Sequence, residues 1–370
     1  MEGIMLKKLN ILICIICLFF SCNEENTYRI KMSLTNLQAQ DVFLVYESGE
    51  SKTVDTLPYD GTGALVFTHP KDEYRTLTLY YDNLSHWLTL YLETPHRIVV
   101  TGDALFPGLI HVKGGRINEL LSDFRKDAVV LLREQAMLSH VNDTIQDLLT
   151  ENTIKTARLA TIKHELRLQV ETFIEKNPDE EASAILIKEY FIDPDNPQLV
   201  DNLLTMLHPK LDDFYVVQDL KRFTEKARQT IVGAQAPDFN VRNIYGQTFN
   251  RSSFTDHYFI LAFTTMWSDM CQTEELYLNE IISSYSKDSI DVMVVSLDEN
   301  PQELRNLIRN DSIQWNIVSD SIGQAIGLLD LYNVNVLPHC FLMNKEGYIL
   351  LKTEDGTELR HMLEQLAANK

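Results

Sequence analysis

The fold of this chain is set by one segment, Tyr258-Phe-Ile-Leu-Ala-Phe-Thr-Thr-Met-Trp267-Ser268-Asp-Met-Cys271-Gln-Thr-Glu274-Glu-Leu276. Its first part is a run of aromatic and aliphatic residues, which predicts a buried strand. The segment then turns through Trp267-Ser268-Asp269 and continues with the apolar spacing of a helix. A strand that leads into a helix N-terminus presents unpaired backbone N–H groups and a positive dipole end. A thiolate is stabilised at such a place.

The segment resembles the active-site region of the thioredoxin-like thiol–disulfide oxidoreductases, where the strand ends in Phe-Trp-Ala-x-Trp-Cys-x-x-Cys. When Trp267 is aligned with the Trp of that motif, Ser268 takes the place of the first cysteine and Cys271 that of the second. The resemblance covers nearly all of residues 231–370 and includes an opening similar to Gly-x-x-Ala-Pro-Asp-Phe at Gly233–Phe239. It implies a thioredoxin-like fold, and the alternation of strands and helices predicts a mixed sheet with helices on both faces.

The first residues have the features of a lipoprotein signal peptide. Lys7 and Lys8 precede an apolar run that is too short to cross a bilayer. The run ends in a lipobox-like sequence, which predicts that residues 1–21 are removed and that Cys22 carries diacylglycerol. An ordinary signal peptide with a chance cysteine is the alternative. We therefore expect a lipid anchor in the cell envelope of a Gram-negative bacterium, facing the periplasm or on the outer-membrane surface.

Two regions lie between the anchor and the thioredoxin-like domain. Residues 28–116 alternate strand-like runs with polar breaks and predict a β-rich domain. They resemble a small β-sandwich module found ahead of thioredoxin-like domains in Gram-negative lipoproteins. Trp87 and the nearby tyrosines are expected in its core, with a ligand-binding surface as the alternative. Residues 117–230 have helical periodicity and predict a helical connector.

Charge and ligand types exclude several classes of function. The formal charge of the 370-residue chain is −20, which argues against nucleic-acid binding because that needs a basic face. A metal site of Cys271, Cys340 and His339 would lack a fourth ligand, and adjacent strand residues face opposite sides. We expect neither a metal nor a cofactor.

Thiol–disulfide exchange needs an attacking thiolate and a second thiol that resolves the mixed disulfide. Ser268 cannot take the first role, because the pKa of a hydroxyl is far above neutral. A catalytic serine would need an adjacent base, and His339 is the only one implied nearby. We interpret Ser268 as a helix N-cap at a degenerate nucleophile position.

The resemblance also assigns roles to four other residues. Pro338 matches the cis-proline of the family, which lies against the active-site sulfurs. Trp267 and Leu337 would complete a groove for a substrate strand beside it. Glu274 matches a glutamate that the lipoprotein-type members use to manage protons near the second cysteine, although the helix dipole explains it equally well.

Two cysteines remain for folding or chemistry once residues 1–22 are set aside, namely Cys271 and Cys340. We hypothesise that they lie close enough to be able to form an unusual disulfide, and we favour the alternative of two inert core cysteines. The expected function is a degenerate oxidoreductase that binds a protein or peptide partner of the cell envelope through the cis-proline groove. Residual thiol redox activity through Cys271, alone or paired with Cys340, is the alternative.

Overall fold

The structure is a computed structural model, and it describes residues 27–48, 51–70, 75–93, 97–140, 149–254, 257–265, 290–298, 300, 316–320 and 323–368. Within these ranges no helix is long and apolar enough to cross a membrane. The chain divides into two compact units. One comprises Met1–Tyr190 with Met206–Leu211, and the other comprises Phe191–Thr205 with Asp212–Lys370.

The first unit contains two four-stranded sheets. Their strands are β1 (Thr27–Thr35), β2 (Gln40–Ser48), β3 (Ser51–Tyr59), β4 (Leu65–Pro70), β5 (Thr76–Tyr81), β6 (His86–Tyr91), β7 (Arg97–Asp103) and β8 (His111–Lys113). One sheet has the order β4-β1-β7-β8 and the other β3-β2-β5-β6. The pairing of β1 with β7 is parallel, and the other pairings within these sheets are antiparallel.

A single hydrophobic core draws on both sheets, because alternate side chains of each strand point inward. In β6, the inward positions are Leu88 and Leu90, which are buried. Trp87 lies one position before Leu88, so its side chain points to the outer face of the sheet. It pairs with Tyr80 on the neighbouring strand and is 58% exposed. The expectation that Trp87 belongs to the core is therefore wrong.

Gly114 follows β8 with a φ of +107°, and a Cβ there would lie 2.1 Å from the carbonyl oxygen of Arg97. We expect Gly114→Ala to destabilise the first unit by more than about 2 kcal/mol, because it adds a backbone clash to an unfavourable φ. Gly63→Ala is the matched control, since Gly63 has a φ of +69° but nothing within 4 Å of its Cβ position. Urea denaturation followed by circular dichroism measures both, and equal losses would contradict the clash.

Helices occupy most of the region after the sandwich. In the first unit they are α1 (Arg116–Asp127), α2 (Val129–His140), α3 (Leu149–Lys176) and α4 (Glu181–Phe191). Helix α4 ends at the boundary between the two units. Phe124 of α1 packs edge-on against Phe173 of α3, with ring centroids 5.9 Å apart, and against Tyr190 of α4. In the second unit, α5 (Gln198–Leu204) and α6 (Tyr215–Arg228) follow. The helical region is thus shared between the units.

The second unit contains a five-stranded mixed sheet. Its strands are β11 (Tyr258–Thr264), β12 (Ile290–Ser296), β13 (Asn316–Ser319), β14 (His339–Met343) and β15 (Ile349–Thr353), and β9 (Asn240–Arg242) and β10 (Thr248–Asn250) form a separate hairpin. The order is β13-β12-β11-β14-β15. The first three run parallel, β14 is antiparallel to β11, and β15 is antiparallel to β14.

Each face of this sheet supports its own hydrophobic core. Phe263 and Phe341 face α7 (Gln324–Leu331), whereas Ala262 and Cys340 face α8 (Gly356–Ala368). This division follows from the period of two in side-chain direction along a strand. The predicted mixed sheet with helices on both faces, preceded by a sheet domain, is confirmed.

Candidate functional site

The residues with the strongest predicted roles are not among those that the structure describes. Trp267, Ser268, Cys271 and Glu274 lie outside the described residues, and so does Cys22. Their predicted roles stay predictions. The described part of the site consists of the strand that leads into it and the strand that begins beside it.

Strand β11 carries the chain to the site through the middle of the sheet. It lies between β12 and β14, and from Phe259 to Thr264 every residue is buried. Thr265 follows and is also buried. Because β12 and β13 are parallel to β11, the carboxyl ends of these three strands meet at one edge of the sheet. In open α/β sheets this edge is where ligands bind.

The same edge receives the start of β14. His339 pairs with Phe263, so Pro338 is level with the end of β11. The peptide bond between Leu337 and Pro338 is cis. Pro338 is buried, Leu337 is half-buried, and Val336 before them is 51% exposed. These three residues form an apolar segment beside the point where β11 ends, and we call residues 336–338 the cis-proline segment.

Cys340 is 6% exposed and lies on the face of the sheet that α8 covers. In the register of β11 and β14 it is directly opposite Ala262. The hypothesised contact with Cys271 involves a residue outside the described ranges and stays a hypothesis.

His339 points to the other face, where its ring centroid lies 5.0 Å from that of Phe341. Burial and the nearby Lys352 together lower the pKa of His339 to about 4, with burial the larger cause, although Asp195 opposes this shift. The ring is therefore neutral at pH 7. Since His339 and Cys340 face opposite sides, they do not form a ligand pair, and no group of three metal-binding side chains occurs among the described residues.

A buried row of hydroxyl groups at this edge was missed by the sequence reasoning. Thr264, Ser296 and Ser319 end β11, β12 and β13, pair with one another in register, and are all buried. The hydroxyl of Ser296 donates a hydrogen bond of 2.5 Å to the carboxylate of Asp298. A hydroxyl residue at the end of each parallel strand was the available signal. These hydroxyl groups make the sheet polar where β11, β12 and β13 end, on the same face of the sheet as Cys340.

The low pKa of His339 predicts acid sensitivity. Its ordinary value is 6.5 and its value in the folded chain is about 4, so the unfolded chain takes up this proton first as the pH falls. The contribution of neutral His339 to the free energy of unfolding is complete above pH 6.5 and is lost as the pH falls toward 4. The loss amounts to about 3 kcal/mol. Urea denaturation at several pH values should show this slope in the wild type and a shallower one in His339→Gln. Parallel slopes would show that other groups cause the acid sensitivity.

The chain is similar to several known proteins. The AhpC/TSA family model matches residues 232–351. The thiol-disulfide oxidoreductase ResA of Geobacillus kaustophilus is 30% identical over 127 residues, which are 34% of this chain and 71% of that protein. ResA of Bacillus thuringiensis subsp. konkukian is 25% identical over 143 residues, 39% of this chain and 80% of that protein. A thioredoxin-like protein from Bacteroides caccae is similar in structure, with 19% identity, coverage of 63% of this chain and 92% of that chain, and a TM-score of 0.43.

The matched residues coincide with the described sheet. They begin in the segment before β9 and end in β15, so they include both β11 and the cis-proline segment. Identity of 30% over more than two thirds of the Geobacillus protein establishes common ancestry with it. Through its C-terminal domain, this chain belongs to the thioredoxin-like thiol-disulfide oxidoreductases.

Proposed function

We propose that this protein is an envelope-anchored member of the family that binds a protein or peptide partner at the cis-proline segment and exchanges disulfides weakly or not at all. One observation carries the proposal. The peptide bond Leu337–Pro338 of the groove is cis, whereas the spacing from Trp267 predicts Ser268 at the position of the family's attacking cysteine.

The chemistry of exchange explains the expected loss of activity. An attacking thiolate forms a bond to one sulfur of the substrate disulfide and displaces the other as a thiolate. A second thiolate of the enzyme then displaces the bound substrate sulfur, and the enzyme is left with a disulfide. A serine hydroxyl at neutral pH is not ionised and forms no such bond. Cys271 alone could form a mixed disulfide but would have no partner at position 268 to resolve it.

The geometry of the cis-proline segment supports a binding role. Pairing between β11 and β14 begins at His339, so residues 336–338 lie outside this ladder. A segment next to a sheet and outside its ladder has backbone groups that an extended peptide can pair with. Exposed Val336 and half-buried Leu337 supply apolar contacts for the side chains of such a peptide.

A reductase assay with insulin as substrate tests the proposal. We expect slow reduction by the wild type that is unchanged in Cys271→Ala. Activity in the wild type that disappears in Cys271→Ala would overturn the binding-only role in favour of residual thiol chemistry.

The second candidate function is redox activity of Cys271 with Cys340. The position of Cys340 favours this function, because Cys340 lies on the same face of the sheet as Ala262 and opposite it, two residues before the end of β11. Mass spectrometry of the folded, non-reduced protein decides between the two. A mass lower by two hydrogens, with neither cysteine labelled, would indicate a bridge, whereas two thiols that label only after unfolding would indicate core residues.

The proposed anchor is tested at Cys22. If this residue carries diacylglycerol, Cys22→Ser should move most of the protein from the membrane fraction to the soluble fraction. Metabolic labelling with palmitate should be lost in the same variant. Membrane association that survives the substitution would mean that another part of the chain holds the protein there.

A further inference from the structure

A buried polar cluster lies directly behind the cis-proline segment, within the second unit. His339 and Lys352 lie on neighbouring strands, and both side chains are buried next to Phe341. The side chain of Lys352 is 4% exposed, and its Nζ lies 2.9 Å from Oδ1 of Asp195, in the loop before α5. This is an ion-pair distance without the angles of a hydrogen bond. Nδ1 of His339 lies 3.8 Å from Oε1 of Glu354, just past β15.

Within this cluster the imidazole of His339 is poorly satisfied. Both ring nitrogens are buried, and neither has a hydrogen-bond partner among the described residues. The distance of 3.8 Å to Glu354 is too long for a hydrogen bond. A neutral ring is tolerated here because it packs against Phe341. A charged ring would need a closer anion, because an unpaired buried charge is costly.

The position of His339 connects this ring to the proposed binding surface. Its backbone is bonded to Pro338, and it is the first residue of β14 and the first that pairs with β11. A shift of the ring toward Glu354 or toward water would therefore be passed on to residues 336–338. Phe263 on the opposite strand leads into the segment of the predicted active site.

We propose that His339 is a positioning residue for the cis-proline segment, whose neutral ring holds residues 336–338 in the geometry that binds the partner. Uptake of one proton from solvent moves the ring, displaces the segment and lowers the affinity for the partner. The inference rests on the proposed function, because it assumes that this segment is the binding surface. It adds a dependence on pH that follows from His339 and the charged side chains around it.

The surrounding charges make the inference testable. Burial lowers the pKa of His339 most, Lys352 also lowers it and Asp195 raises it, and the three together bring it to about 4. The carboxylate of Glu354 also favours the proton. Lys352→Met and Asp195→Asn both break the same ion pair, although Asp195→Asn leaves the buried ammonium of Lys352 unpaired and should destabilise the fold more. They should nevertheless move the titration of His339 in opposite directions.

The experiment is a pH titration of the full chain by NMR, with ¹³C-labelled histidine and valine. We expect the methyl resonances of Val336 to shift with the same midpoint as the imidazole of His339. Both midpoints should rise by about one pH unit in Lys352→Met and fall by a similar amount in Asp195→Asn. Because the inference assigns the shift to this one imidazole, His339→Gln should abolish the transition at Val336.

The NMR titration distinguishes a coupled movement of Val336 and His339 from a general loss of structure. A Val336 resonance that does not titrate, or that moves in the same direction in both ion-pair variants, would overturn the inference. If the wild type unfolds before His339 titrates, Lys352→Met brings the transition into the range where the chain is folded. The titration needs no bound partner, so a failure of the proposed binding role would be detected separately, by the insulin assay.

Discussion

Ser268→Cys should convert this protein into an active dithiol oxidoreductase. The sequence predicts that a helix begins at position 268, whose dipole and free N–H groups would favour a thiolate, and Cys271 follows at the family's spacing. We expect the rate of insulin reduction to rise by roughly 100-fold or more, because a thiolate replaces a hydroxyl that is not ionised at neutral pH. The rate of reduction with excess dithiothreitol measures this.

Two controls make the result specific. Ser268→Ala should leave the rate at the low value of the wild type, since neither residue supplies a thiolate. Adding Cys271→Ala to Ser268→Cys should remove most of the gain, because the mixed disulfide would no longer be resolved. A Ser268→Cys protein as slow as the wild type would show that the loss of the cysteine is not what limits exchange.

Tyr332→Ala should destabilise the second unit by about 4 kcal/mol. Tyr332 is fully buried at the end of α7, and its ring packs edge-on against Phe341, with centroids 5.2 Å apart. It also contacts Phe263, so it supports both strands that border the site. Its hydroxyl donates a hydrogen bond of 2.8 Å to the carbonyl of Pro237, which ties the start of the domain to the same core.

Tyr332→Phe separates packing from hydrogen bonding. It keeps the ring and removes the hydroxyl, so the expected loss is about 1 kcal/mol. Burial raises the pKa of the Tyr332 hydroxyl, which therefore stays protonated as the donor in the wild type. Hydrogen exchange of the β11 and β14 amides is the appropriate measurement, because a chain of two units need not unfold in one transition. Similar losses in both variants would mean that the hydrogen bond, rather than the ring, dominates.

Local pattern was sufficient for most of the second unit. The strand from Tyr258, the strand at His339–Met343 and the closing helix at Gly356–Ala368 have strong periodicity, and the structure contains each of them. The spacing of apolar residues and the choice of turn residues depend on only a few neighbouring positions, so both can be recognised in the sequence without knowledge of tertiary contacts.

Pattern was insufficient where a strand buries little. Strand β3, Ser51–Tyr59, was not predicted, because it lies at the edge of its sheet and most of its side chains are exposed. Its place is set by pairing with β2 along its whole length. Trp87 was assigned to the core for a related reason, since composition does not reveal which of the two alternating sets of side chains in a strand faces inward.

The sequence by itself indicated the family and the order of the strands and helices that the structure describes in the C-terminal domain, because each depends on residue identity and spacing along the chain. The interpretation of Ser268 rests on the same spacing and stays a prediction. Only the tertiary structure decided that Cys340 lies opposite Ala262 and that Lys352 is paired with Asp195. These contacts join segments far apart in sequence. The register of neighbouring strands and the burial of charge against a distant loop establish them, and neither is encoded in any local pattern.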